Sequence, residues 1–309
     1  MRTLVVILGP TAVGKTELSL SLAKLLCCDI ISADSRQIYR HIDIGTAKPT
    51  EEERSLVPHR FVDMLELEDY YSAAQYESDV TEHLEKWFCD HDYALMAGGS
   101  MMYTDAVTKG IDSIPTIDDA TRDLMKHKLE TDGLDTLCAE LRLLDPEYYR
   151  QVDLKNHKRV VHALEVCYMT GRPYSSYRTN SVKQRPFRIV KIGLKRERQD
   201  LFARINARVD KMMEQGFMRE AEGLYRRYAD APDGFPNSLN TVGYKELFNV
   251  LEGKWELKMA VERIKKNTRV YAKKQMTWYA HDSEICWLDA NDPNLLLRAL
   301  ECVKKQEII

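Results

Sequence analysis

The chain has 309 residues, 44% hydrophobic and 30% charged, a composition that excludes a disordered chain and leaves room for one large domain or two modest ones. Its net charge is −3, with 45 basic against 48 acidic residues, which taken whole argues against a nucleic-acid partner. No segment nears the roughly 20 apolar residues that span a bilayer, and Met1-Arg2-Thr3 is not expected to open a signal peptide. Seven cysteines without a C-x-x-C spacing indicate neither a disulfide framework nor a zinc site, so the reducing cytoplasm is the expected compartment.

Thr3–Leu8 (TLVVIL) is a short apolar run that stops at Gly9, the pattern of a buried parallel strand. A glycine-containing loop leads into residues 16–26, whose apolar spacing predicts an amphipathic helix. Residues 29–33 read as a second strand ending at Asp34, and Tyr93–Ala97 as a third, closed by Gly98-Gly99. Between residues 114 and 186 strand signals vanish. Pro115 and Asp118-Asp119 mark a helix start there, and Leu124, Leu129, Leu134, Leu137, Leu141 and Leu144 supply the spacing for two helices. Residues 159–169 predict another helix, stopped by Gly171 and Pro173. Two further strands are expected at 189–194 and 285–288. The fold class is α/β: a parallel sheet flanked by helices (residues 1–113 and 187–309) carrying an all-helical insertion at 114–186.

Gly9-Pro10-Thr11-Ala12-Val13-Gly14-Lys15-Thr16 fits G-x-x-x-x-G-K-[ST] between a strand and a helix, where the motif belongs, so the core is expected to be P-loop NTPase-like. The glycines let backbone N–H groups curl round an anionic oxygen at a helix N-terminus. Lys15 adds a point charge, and the Thr16 hydroxyl can hold Mg²⁺. The loop therefore takes a di- or triphosphate. A nucleotide kinase or NTPase would usually add an apolar strand ending in Asp as second metal ligand, whereas the third strand here runs into Gly98-Gly99-Ser100. Asp34, at the C-terminal end of the second strand, should lie beside the phosphate loop. A carboxylate there can be a metal ligand, a general base or the cap of a following helix.

The stretches GPTAVGKT, DSRQIY, DIGTAKP, VPHRFVD, GGSMMY, NHKRVVHALEVCYMTGRP, TVGYKE and TRVYAKKQMTW run in order from Gly9 to Trp278. Together they closely resemble the tRNA dimethylallyltransferases, also called tRNA isopentenyltransferases. The resemblance implies Mg²⁺-assisted transfer of a dimethylallyl group from its diphosphate to N6 of the adenosine just 3′ of the anticodon. It also implies a loop that holds the diphosphate of the prenyl donor and not ATP, in a core pierced by a channel. Asp34 matches the family's base, Lys15 and Thr16 its phosphate-loop contacts, and Arg208 its diphosphate-binding arginine. Arg208 shares one side of an expected helix at 201–216 with Arg204 and Lys211. Asp34, Ser35, Arg36 and Gln37 also correspond to a tRNA-facing segment. Ser100 stands where the family usually has Thr, and Arg122 matches an arginine that contacts tRNA. Lys158, Arg159, Val160, Val161 and His162 align with the family's QRxxR element, Lys158 replacing Gln and His162 the second Arg.

Charge is unevenly spread. Residues 61–92 hold ten acidic and one basic residue, 150–198 thirteen basic and three acidic, and 254–281 eight basic and two acidic. The last segment predicts a helix with Leu257, Val261, Ile264, Thr268, Tyr271 and Trp278 on its apolar side. Lys258, Lys265, Arg269 and Lys273 form the adjacent stripe, with Arg269 and Lys273 expected on RNA phosphates. The expected partners are tRNA, through its anticodon stem-loop, and dimethylallyl diphosphate, with no membrane and a monomeric enzyme. Three alternatives cover progressively less of the sequence: an enzyme that prenylates free adenine nucleotides, an ATP-dependent small-molecule kinase, and a non-catalytic RNA-binding module.

Overall fold

Thr3–Leu8 forms β1, and all 6 of its side chains are buried. Val5 and Ile7 enter one core layer while Leu4, Val6 and Leu8 enter another, so the strand's period of two has no polar face and needs cover on both sides. Each such Val, Leu or Ile contributes about 1.5–3 kcal/mol by burial. The structure, a computed structural model, describes residues 2–179, 181–232 and 234–305, without the Lys305 side chain. Among them five more strands complete an all-parallel sheet with β1: β2 (Ile30–Ser32), β3 (His59–Arg60), β4 (Tyr93–Ala97), β5 (Arg188–Lys195) and β6 (Cys286–Asp289). Their order in the sheet is β3-β2-β4-β1-β5-β6. Helices Lys15–Leu26, Arg198–Glu214 and Leu295–Lys305 pack on one face. Ala73–Trp87 and Met101–Lys109 cover the other.

A third cluster joins Ile38, Tyr39 and Ile42 to helices Phe217–Tyr228, Tyr244–Leu251 and Leu257–Tyr279. This unit holds the residues up to Thr108 and from Arg185 onward; a second compact unit is Lys109–Gln184. The second unit is helical: Asp119–Thr131, Gly133–Leu144, Pro146–Tyr149 and His157–Thr170 close around Met125, Leu137, Leu141, Val160 and Leu164. Asp118 caps the first of them by accepting the Thr121 N–H at 2.7 Å.

Three expectations need correction. Leu124 and Leu144 are 45% and 43% exposed, and Met125 is the inward residue of its turn. The face assigned to the Leu257–Tyr279 helix holds only at Ile264, which is buried, and Val261, which packs against the same cluster. Its buried residues are Ala260, Ile264, Ala272, Gln275 and Tyr279, whereas Leu257, Tyr271 and Trp278 are exposed. Two alanines and a glutamine make up most of that face, so hydrophobic periodicity passed over it. Finally, Cys286 and Cys302 form a disulfide between β6 and the Leu295–Lys305 helix. An odd cysteine count excludes only a fully paired set. Among the described residues, no helix is long and apolar enough to cross a membrane.

Candidate active site

The C-terminal ends of β1, β2, β4 and β5 gather the candidate residues, as a parallel sheet requires of its ligand-facing edge. After β1 the chain turns at Gly9, with φ 139°. A Cβ there would stand 2.7 Å from the Leu194 carbonyl oxygen on β5, so glycine is needed for both conformation and space. Ala12, with φ 64°, and Gly14, with φ 115°, complete the curl into the Lys15–Leu26 helix. No side chain caps that helix N-terminus. Its first N–H groups, which lack intrahelical acceptors, are therefore left for an anion.

Arginines hold the loop's carbonyls. Arg204 Nε donates to Ala12 O at 3.0 Å and Arg196 Nε to Val13 O at 2.7 Å. Arg196, just past β5, also ties the loop to β6 through the Ala290 carbonyl at 3.2 Å and through Asn291. Arg208, one turn after Arg204, donates to Thr11 Oγ1 at 3.2 Å. Lys15 Nζ donates to the Gly9 and Pro10 carbonyls, each at 2.9 Å. Burial and then the Arg208 charge pull the Lys15 pKa down from 10.5 to about 7, while Asp34 acts the other way. Burial also lowers the Arg208 pKa, again opposed by Asp34. Two cations share an enclosed site with one carboxylate, a field short of negative charge.

Asp34 follows β2. Its Oδ1 accepts the Arg36 N–H at 2.9 Å and the Gln37 N–H at 3.4 Å, so this oxygen makes the capping turn. Oδ2 makes no hydrogen bond among the described residues and lies 3.6 Å from where a Cβ on Gly99 would stand. One oxygen thus orients the carboxylate and the other stays available as an acceptor. The loop after β4 is tied to the same strand end, Ser100 N–H donating to Ala33 O at 2.9 Å.

The remaining candidates separate by what their side chains already hold. Gln37 Nε2 donates to the Thr46 and Ala47 carbonyls at 3.2 and 3.1 Å, bracing the loop around Lys48. Ser35 is partly exposed, and Arg36 Nη1 donates to the Asn237 carbonyl at 3.0 Å. Arg269 donates to Asn206 Oδ1 at 2.5 Å, while Lys273 is exposed. Within the helical unit, Lys158, Arg159 and His162 are exposed and Val161 is partly buried. Val160 is a correction: its side chain is fully buried in that unit's core, so the surface of the segment belongs to its polar neighbours. Arg122 sits on the Asp119–Thr131 helix with its own polar contacts. Sequence reasoning passed over Arg196, Glu220 and Gln275. The signal for Gln275 was present, since it lies inside the TRVYAKKQMTW stretch.

Thr16 is exposed and its hydroxyl has no partner among the described residues, which also contain no group of three or more His, Cys, Asp or Glu able to hold a metal ion. The donor set fits Mg²⁺ held by Thr16 together with a ligand's phosphate oxygens and water, the usual manner for this ion. The site thus combines an uncapped phosphate loop with a carboxylate that keeps one oxygen free of hydrogen bonds among the described residues, at the ligand-facing edge of a parallel α/β sheet. Residues 37–282 match the family model described as IPP transferase. The chain is 56% identical to "tRNA dimethylallyltransferase 1" of Phocaeicola vulgatus, over 97% of this chain and 98% of that one. Among solved structures it is similar to a tRNA isopentenylpyrophosphate transferase of Bacillus halodurans, with TM-score 0.71 and 33% identity over 100% of this chain and 99% of that one. A eukaryotic dimethylallyltransferase acting on tRNA aligns with TM-score 0.83 and 25% identity, over 100% of this chain and 80% of that one. The chain belongs to the IPP transferase family.

Proposed function

We propose that this protein transfers a dimethylallyl group from dimethylallyl diphosphate to N6 of the adenosine 3′-adjacent to the anticodon of tRNA, releasing diphosphate. The observation that carries the reading is the pairing of an uncapped, cation-lined phosphate loop with Asp34, whose Oδ2 is free. Family membership and the relatives' names agree with it.

The chemistry assigns the roles. An exocyclic adenine amine is a weak nucleophile because its lone pair is delocalised into the ring. Asp34 Oδ2 accepts the N6 proton as N6 bonds to the allylic carbon. The carbon–oxygen bond breaks, and its electron pair leaves with the diphosphate. Lys15, Arg208 and the backbone N–H groups at the start of the Lys15–Leu26 helix stabilise that developing charge. Thr16 would hold Mg²⁺, which when bound would supply further neutralisation of the diphosphate's charge. The tRNA anticodon stem-loop is held by Ser35, Arg36 and Ser100 near the base and by Arg122, Lys158, Arg159, His162, Arg269 and Lys273 on the backbone. The target adenosine is unstacked into the site at a cost of a few kcal/mol. The enzyme acts as a monomer in the cytoplasm, where this substrate is found.

The test offers purified protein with Mg²⁺ labelled dimethylallyl diphosphate or labelled ATP, with tRNA or AMP as acceptor. Label should pass from the prenyl donor to tRNA. Transfer from ATP, or to AMP in preference to tRNA, would overturn the assignment.

A further inference from the structure

Gln275 is completely buried on the Leu257–Tyr279 helix, at 0% exposure. Its Oε1 accepts the Thr11 N–H at 2.9 Å, and its Nε2 donates to the Gly99 carbonyl at 2.7 Å. One amide therefore joins the phosphate loop to the loop after β4. A buried amide is costly unless both its ends are paired, and Met would fill the same volume without that demand. Here both ends are used, each on a different loop of the site.

The second loop leads to Asp34. A Cβ on Gly99 would stand 3.0 Å from Gln275 Nε2 and 3.6 Å from Asp34 Oδ2, so Gly99 is the spacer between amide and carboxylate. Ser100 N–H donates to Ala33 O, and Ala33 N–H to Ala97 O, both at 2.9 Å, which locks this loop to the strand end carrying Asp34. Tyr271 OH, one turn before Gln275 on the same helix, adds a 3.1 Å bond to the Gly99 carbonyl. On the other side, Thr11 is also the residue whose hydroxyl receives Arg208. A chain of contacts thus runs from the cation site through Thr11, Gln275 and Gly99 and, by the Ser100–Ala33 hydrogen bond, to the strand end that carries Asp34.

We propose that Gln275 is a positioning residue that sets the spacing between the diphosphate site and Asp34. This rests on the prenyl-transfer reading given above. Nucleophile, allylic carbon and leaving group must be held in line, and a misplacement of about 1 Å costs on the order of 100-fold in rate. Gln275 acts on that geometry through its two loops and does not touch the reacting atoms.

Two variants test this. Gln275→Met keeps the volume and removes both hydrogen bonds, and Gln275→Asn keeps the amide on a stem too short to bridge both loops. Each should lower kcat per active site about 10- to 100-fold while KM for donor and for tRNA stays within about threefold. A second readout is independent of prenyl transfer: amide hydrogen exchange with magnesium pyrophosphate as probe. In the unsubstituted protein, pyrophosphate should protect residues 98–101 as well as 9–16; in Gln275→Met it should protect 9–16 alone. Unchanged kcat, a loss carried wholly by either KM, or protection of 98–101 that survives in Gln275→Met would overturn the proposal. So would failure of both variants to fold, which assigns Gln275 to the scaffold. An unsubstituted protein without prenyl transfer refutes the proposed function, and the exchange result still decides whether Gln275 couples the loops.

Discussion

Raising the pH should weaken the hold on a diphosphate well before it harms the fold. Lys15 titrates near 7 instead of 10.5, burial being the main cause, the Arg208 charge the next and Asp34 opposing both. At about 1.4 kcal/mol per pH unit, the unliganded site disfavours the ammonium by on the order of 5 kcal/mol. A bound diphosphate reverses that balance, so binding above pH 7 must take up a proton, and affinity should fall about tenfold per pH unit. The assay is titration calorimetry with dimethylallyl diphosphate between pH 7.5 and 8.5, in buffers of different ionisation heat. The donor's terminal phosphate, with a second pKa near 6, is already ionised there. Uptake should approach one proton per site at about pH 8 and vanish in Lys15→Arg, whose guanidinium stays charged. The absence of uptake in the unsubstituted protein, or equal uptake in the variant, would refute the reasoning. Stability supplies the sign. The folded pKa lies below the unfolded one, so the unfolded chain binds more protons between about 7 and 10.5. The Lys15 penalty is complete below pH 7 and disappears as pH rises through that window. Lys15→Met should therefore stabilise the unliganded protein more at about pH 6 than at about pH 9.

Two other substitutions separate chemistry from scaffold. Asp34→Asn keeps an oxygen for the Arg36 and Gln37 N–H groups but no base; turnover should drop on the order of 10²- to 10⁴-fold with tRNA affinity within about threefold, and near-normal turnover in a quenched single-turnover assay removes Asp34 from the base role. Glu220 accepts the N–H groups of Asp43, Ile44 and Gly45 at 3.0, 2.8 and 2.9 Å and the Tyr244 hydroxyl at 2.5 Å. Glu220→Ala should lower unfolding free energy in urea by about 2–4 kcal/mol, and a loss below about 1 kcal/mol would show that water replaces the carboxylate at little cost.

What could be read from the sequence follows from the range of the forces involved. β1, β4 and the phosphate loop were legible because each is local: an apolar run, a stop, a glycine spacing that backbone geometry demands. The two-residue strand β3 was not, since His59 and Arg60 carry no apolar pattern and owe their pairing to β2. The inward side of the Leu257–Tyr279 helix failed for a related reason. Gln275 is buried by its partners on two distant loops, at separations of 264 and 176 residues, and no window along the chain displays them. Asp34 was legible as a position at a strand end, but the division of labour between its two oxygens needed the Arg36 and Gln37 amides and Gly99 in place.

Charge shows the same limit, and it yields the last prediction. The net of −3 hides two basic segments, yet the segment totals also mislead, because several of those cations are occupied inside the fold. Arg185 pairs with Glu77 at 2.7 Å, and Lys191 with Asp282 and Glu284 at 2.8 and 2.7 Å. Arg196 braces the phosphate loop, and Lys265, in the basic stripe, is held by Asp210 at 2.7 Å. Cations left for RNA are exposed ones that neither core nor carboxylate holds, among them Lys158 and Arg159 in one unit and Lys273 in the other. Each phosphate contact steepens the salt dependence of binding by a slope of about 0.7–0.9 in log K against log salt. Arg159→Ala and Lys273→Ala should each weaken tRNA binding and flatten that slope by about one contact, whereas Lys265→Ala should leave it unchanged. Fluorescence anisotropy across a salt series reads the slopes directly. If Lys265→Ala flattens the slope as much as Lys273→Ala does, exposure and pairing do not select the phosphate contacts, and the stripe binds as an undivided basic face.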